Sequence, residues 1–146
     1  MSDVGAGLDP AGGVADRVDE SIRLPAPPHI VWRYVTDPAA FSEWFSTPVK
    51  LDPRLGGEIS FQDPLVGPVH GTVTELDPIQ RIVFDFSTIW PGELVCELAP
   101  AGDDTLFRVV QGPFASGEGS GPGAAEYISA WQRRLRLLAD LLASYG

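Results

Sequence analysis

The chain has 146 residues, 44% of them hydrophobic, with four tryptophans and seven phenylalanines; this excludes a disordered polypeptide and bounds it to one domain with a real core. Its formal net charge is −10, with one lysine against nine arginines, so nucleic acid is excluded as a partner for want of a basic face, and an anionic membrane surface is disfavoured by the same sign. The lone Cys96 closes no internal disulfide, no segment approaches the ~20 apolar residues of a membrane span, and the first segment lacks the basic flank and apolar run of a signal peptide, which together predict a cytoplasmic protein without membrane insertion.

Residues 1–16 are rich in Gly, Ala and Asp without periodicity and read as a flexible N-terminal tail; residues 17–146 read as a single domain. Residues 17–24 alternate apolar with polar, the pattern of a half-buried strand. Pro25-Ala26-Pro27-Pro28 ends that strand and pre-sets the start of a short helix over residues 29–35. Asp37 is a good N-cap and Pro38 a good first residue for a second short helix through Phe41, Trp44 and Phe45. Strands follow at residues 58–62, 69–76, 81–86, 93–98 and 105–111, separated by the turn formers Asp77-Pro78, Trp90-Pro91-Gly92 and Gly102-Asp103, so the chain predicts an antiparallel meander. Residues 112–123 hold five glycines, two prolines and Phe114, a loop placed to act as a lid. One long helix closes the sequence. Ile128, Trp131, Leu135, Leu138 and Leu142 make its apolar stripe, while Arg133, Arg134, Arg136 and Asp140 fall largely off it and are expected in water. A long helix after a run of strands must lay its stripe across a sheet face.

This order of elements resembles the helix-grip arrangement of the START-like (Bet v 1-like, SRPBCC) superfamily. Several strings sharpen the likeness: residues 26–38 followed by Trp44-Phe45, then Gly56-Gly57-Glu58, then the hairpin of residues 71–83, then Glu97-Leu98, Asp104-Thr105 and the closing helix. They resemble the family named for the activator of the ninety-kilodalton heat-shock protein ATPase (AHSA-like), across residues 17–142. The resemblance implies an α+β fold in which a curved antiparallel sheet wraps around a long C-terminal helix, with two short helices after the first strand. It also implies a cavity between sheet and helix that takes hydrophobic, lipid- or polyketide-like small molecules in many relatives. Some relatives are polyketide aromatase/cyclases and some are lipid carriers, and the family's name comes from co-chaperones. Similar proteins often carry a histidine near the end of the last strand, where this chain has Gln111, so chemistry relying on that imidazole is not expected.

On the residues themselves no catalytic constellation emerges. Cys96 shares a strand face with Leu94 and Leu98 and reads as a buried, inert thiol. His29 opens a helix and reads as exposed; with His70 it lacks the spacing of a metal site, and neither a metal nor a cofactor is expected. The candidates for an acid or base are His70, if its strand position points inward, and Glu43, if it reaches the cavity rim. Predicted ligand-lining residues are Trp32, Phe61, Phe84, Phe86, Phe107, Val109, Gln111, Trp131 and Leu135, with Gln111 and His70 as polar contacts. An eight- to ten-carbon apolar ligand gains roughly 6–8 kcal/mol on burial, before the costs of binding, against the ~8 kcal/mol of a micromolar complex. The leading expectation is a binding protein for a hydrophobic small molecule. The alternatives are a cyclase- or hydrolase-like enzyme and a co-chaperone-like module with a protein partner or a second copy.

Overall fold

Among the described residues seven strands pair antiparallel in one sheet, the first beside the seventh and then the sixth, fifth, fourth, third and second in turn, and three helices accompany them. The computed structural model describes residues 17–64, 66–86, 92–112 and 124–145; the N-terminal segment of residues 1–16 and the glycine-rich stretch at residues 113–123, Phe114 included, lie outside them. β1 is Val18–Leu24, β2 Lys50–Leu51, β3 Glu58–Asp63, β4 Gly67–Asp77, β5 Arg81–Asp85, β6 Glu93–Ala101 and β7 Asp104–Gly112; the helices are α1 (Pro28–Thr36), α2 (Pro38–Phe45) and α3 (Ala124–Tyr145). This is the α+β helix-grip architecture that the order of elements predicted. The short β2, paired to Ile59 and Ser60, was not foreseen, because two residues are too few to show alternation.

Local chemistry explains the joints. Pro28 occupies the first position of α1, where its missing N–H costs nothing. Asp37 ends α1 through its backbone N–H, which donates to the Arg33 carbonyl at 2.8 Å, and starts α2 through its side chain, which accepts from the Ala39 N–H at 3.2 Å. The buried Trp44 indole donates to the Tyr34 carbonyl at 2.7 Å and so fastens α2 to α1. Gly71 lies under the Phe86 ring: a Cβ there would stand 2.5 Å from Phe86 Cδ1, so only glycine lets that ring settle on the sheet.

The alternation of each strand separates two faces. Ile59 and Phe61, Val69 and Val73, Ile82 and Phe84, Leu94 and Cys96, Phe107, Val109 and Gln111 all turn inward and are buried. A β-bulge between Val73 and Glu75 keeps both halves of the long β4 in register with β5. The outer face carries a row of alternating charge across β1, β7, β6, β5 and β4. Arg108 donates twice to Asp19, at 2.8 and 2.7 Å, and reaches Glu97 at 3.3 Å, while Arg81 bonds Glu97 and, at 2.9 Å, Glu75. The hydrogen bond from Arg108 holds the Asp19 carboxyl below the usual carboxylate range. A depressed carboxylate contributes stability above its unfolded pKa and loses it as pH falls through the folded one. An Asp19→Asn chain should therefore melt below the parent at neutral pH and level with it in strong acid, as scanning calorimetry across pH would record.

Candidate functional site

α3 lays its underside over the inner sheet face, and α2 enters the same space from the side. All nine predicted lining residues converge here. Phe61, Phe84, Phe86, Phe107, Val109 and Gln111 come from the sheet, Trp131 and Leu135 from α3, and each is at most 5% exposed; Trp32 is half-buried on α1 and packs against the cluster. Three residues left out of that set fill much of the space. Phe41, Trp44 and Phe45 of α2 stand between sheet and helix. Trp44 meets Phe107 at 5.9 Å and Trp131 at 6.0 Å; Phe45 meets Phe61 at 5.2 Å and Trp131 at 5.5 Å; Phe41 meets Phe84 at 6.2 Å. The rings form one continuous network of edge-on and tilted contacts.

Two polar features interrupt this interior. At the end of β7, Gln111 is fully buried; its Oε1 accepts the Trp131 indole N–H at 2.6 Å, while its Nε2 is sealed from solvent with no hydrogen-bond partner among the described residues. A buried amide N–H left unmatched costs ~1–3 kcal/mol, so the site favours any acceptor that reaches it. The second feature is an ion pair. Arg134, expected in water, is only 8% exposed, and its Nη2 lies 3.6 Å from Oδ2 of Asp63, itself 3% exposed. The guanidinium sits 4.3 Å above the Phe45 ring and 5.1 Å from that of Trp131. Burial lowers the pKa of Arg134, and the charge on Asp63 works against that shift. The signal for this pair was in the spacing. Arg134 stands three residues after Trp131 and four before Leu138, and Asp63 alternates with Ile59 and Phe61 on the inner face of β3.

The acid/base candidates lie elsewhere. His70 follows the inward Val69, so it points from the opposite, outer face of β4 and is exposed; the expectation that it reaches the ligand space is corrected. Glu43 is exposed on α2, beside the inward Trp44, and His29 is exposed at the start of α1. Cys96 is buried, and burial pushes its thiol far above the ordinary range, so it is not a thiolate at neutral pH. Among the described residues no group of three or more His, Cys, Asp or Glu side chains could hold a metal ion, and no helix is long and apolar enough to cross a membrane. Four clefts lined by described residues open at the margin of the aromatic cluster, each touching one or two of its rings. Three lie along the outer sheet face and its edge, and one, of about 290 Å³, at the seam of α2 and α3.

A curved sheet gripping one long helix over an aromatic interior defines a START-like protein. Residues 25–143 match the family model of Activator of Hsp90 ATPase homolog 1-like proteins, and the chain belongs to that family. No curated protein matches it in sequence. Among solved structures it is similar to a protein from Mesorhizobium loti (TM-score 0.77, 18% identity, 89% of this chain and 98% of that one). It is similar also to the Aha1 dimer from Colwellia psychrerythraea (0.72, 19%, 86% and 95%) and to an HSP90 activator from Plasmodium falciparum (0.71, 17%, 88% and 97%). At these identities the likeness is one of fold.

Proposed function

We propose that the chain binds a hydrophobic small molecule between the sheet and α3, with a hydrogen-bond acceptor of the ligand, such as a carbonyl oxygen, on Gln111 Nε2. One observation carries this reading: a glutamine amide in the interior, held by Trp131 through one atom and, among the described residues, left without an acceptor at the other. The surrounding rings supply the apolar contact, and admitting a ligand requires the side chains of Phe45 and Trp131 to part. A reducing compartment such as the cytoplasm suits the buried free thiol of Cys96.

A matched pair of probes tests it. A neutral aryl ketone such as 2-acetonaphthone should bind up to roughly tenfold more tightly than 2-ethylnaphthalene, the worth of one buried hydrogen bond. That preference should vanish in the double variant Gln111→Leu/Trp131→Phe, which removes donor and partner together. Equal affinity for the two probes in the parent chain would contradict the reading.

The co-chaperone alternative rests on the family itself and on relatives described as an Aha1 dimer and an HSP90 activator. Its test is stimulation of an Hsp90 ATPase by the purified chain, and an unchanged turnover rate would dispose of it. The enzymatic alternative is not favoured, since His70 and Glu43 both face solvent.

A further inference from the structure

The seam between α2 and α3 carries a second candidate site, which borders the interior under the sheet through Trp44, Phe45 and Arg134. Its cleft of about 290 Å³ is lined by Trp44, Phe45, Ala130, Arg133, Arg134 and Leu137. That volume lies at the lower end of the ~300–1,000 Å³ of small-molecule pockets, so it suits a compact ligand. The walls are apolar and aromatic, and the charged lining is two arginines.

Arg134 is the informative member. Its side chain is 9% exposed and its Nη1 has no hydrogen-bond partner among the described residues, although a buried guanidinium offers five donors. The only ion-pair partner in contact with it among the described residues, Asp63, stands off at 3.6 Å, beyond a normal hydrogen bond. A buried cation with an unmatched N–H is costly, and the missing element is an acceptor. Charge selects which acceptor. Arg133 and Arg134 set against Asp63 leave one positive charge, which a monoanion neutralises and a dianion would exceed. Geometry agrees, because a planar carboxylate matches the guanidinium fork.

We propose that the α2–α3 seam binds a small aryl or short-chain carboxylic acid, its carboxylate on Arg134 and Arg133 and its apolar body against Phe45, Ala130 and Leu137. Nη1 is closed off from bulk solvent, so the acid enters as its apolar body spreads the seam. No bond is made or broken; this is recognition of an anion attached to a hydrophobe.

The test is an NMR titration of the chain with 1-naphthylacetate and, separately, with the uncharged 1-naphthylacetamide. Expected are shifts centred on the amides of Ala130, Arg133 and Leu137, with the acid bound roughly tenfold more tightly than the amide, as for a charge-assisted contact. Arg133→Gln, at an exposed position, should weaken the acid and leave the amide unaffected. Leu137→Glu places a carboxylate in the cleft and should abolish acid binding while the fold persists. Gln111→Leu/Trp131→Phe, which disables the proposed interior contact, should leave the acid's preference over the amide in place, so the two sites succeed or fail separately. Equal affinity for acid and amide, no binding of the acid at millimolar concentration, shifts centred on Val109 and Gln111, or acid binding that survives Leu137→Glu would each overturn the proposal.

Discussion

Truncation of Trp131 to alanine is expected to remove ~3–5 kcal/mol from the stability of the chain, the range for emptying a fully buried tryptophan site. Trp131 has no solvent exposure, and among the described residues its ring meets Trp44 at 6.0 Å, Phe45 at 5.5 Å and the Arg134 guanidinium at 5.1 Å. Its indole N–H holds the Gln111 oxygen, so the truncation also leaves a second buried amide atom unmatched. Trp131→Phe separates the contributions. It keeps most of the ring contact and loses the hydrogen bond, so it should fall well short of the alanine effect. Urea unfolding of the three chains, read by far-ultraviolet circular dichroism, gives the order: parent, Trp131→Phe, Trp131→Ala.

Arg134→Leu should be as damaging, for an electrostatic reason. It removes the Arg134 charge from beside the Asp63 carboxylate, buried at 3% exposure, and breaking a buried pair from one side costs ~3–5 kcal/mol. The double replacement Asp63→Leu/Arg134→Leu removes both charges and should recover most of that loss, since two well-packed apolar groups are often as stable as the pair they replace. A double-mutant cycle by equilibrium unfolding measures this directly. Additive losses would mean that the two residues do not interact. Breaking the pair also removes a contact between the end of β3 and α3.

The fold was legible because its elements announce themselves by period. Ile59 with Phe61, Ile82 with Phe84 and Phe107 with Val109 alternate on strands, and Trp131, Leu135, Leu138 and Leu142 recur at helical spacing. Asp37 and Pro38 marked the joint of α1 and α2 by their chemistry. The interior was legible as a list of side chains but not as an arrangement. Whether Phe41, Trp44 and Phe45 line a space or fill it depends on how α2 leans against α3, which no local pattern encodes. His70 could have been placed correctly, since Val69 already claims the inward direction and neighbours on a strand point apart. Arg134 and Asp63 were harder. Each alone reads as a solvated charge, and only their meeting across the fold makes burying both tolerable.

In the proposed function the space between sheet and α3 receives an apolar molecule. Native mass spectrometry of the freshly purified chain tests it most directly. One bound apolar molecule per chain is expected, recoverable by solvent extraction and absent from Gln111→Leu/Trp131→Phe; bare chain alone in the parent, or the same adduct in both chains, would overturn the proposed function.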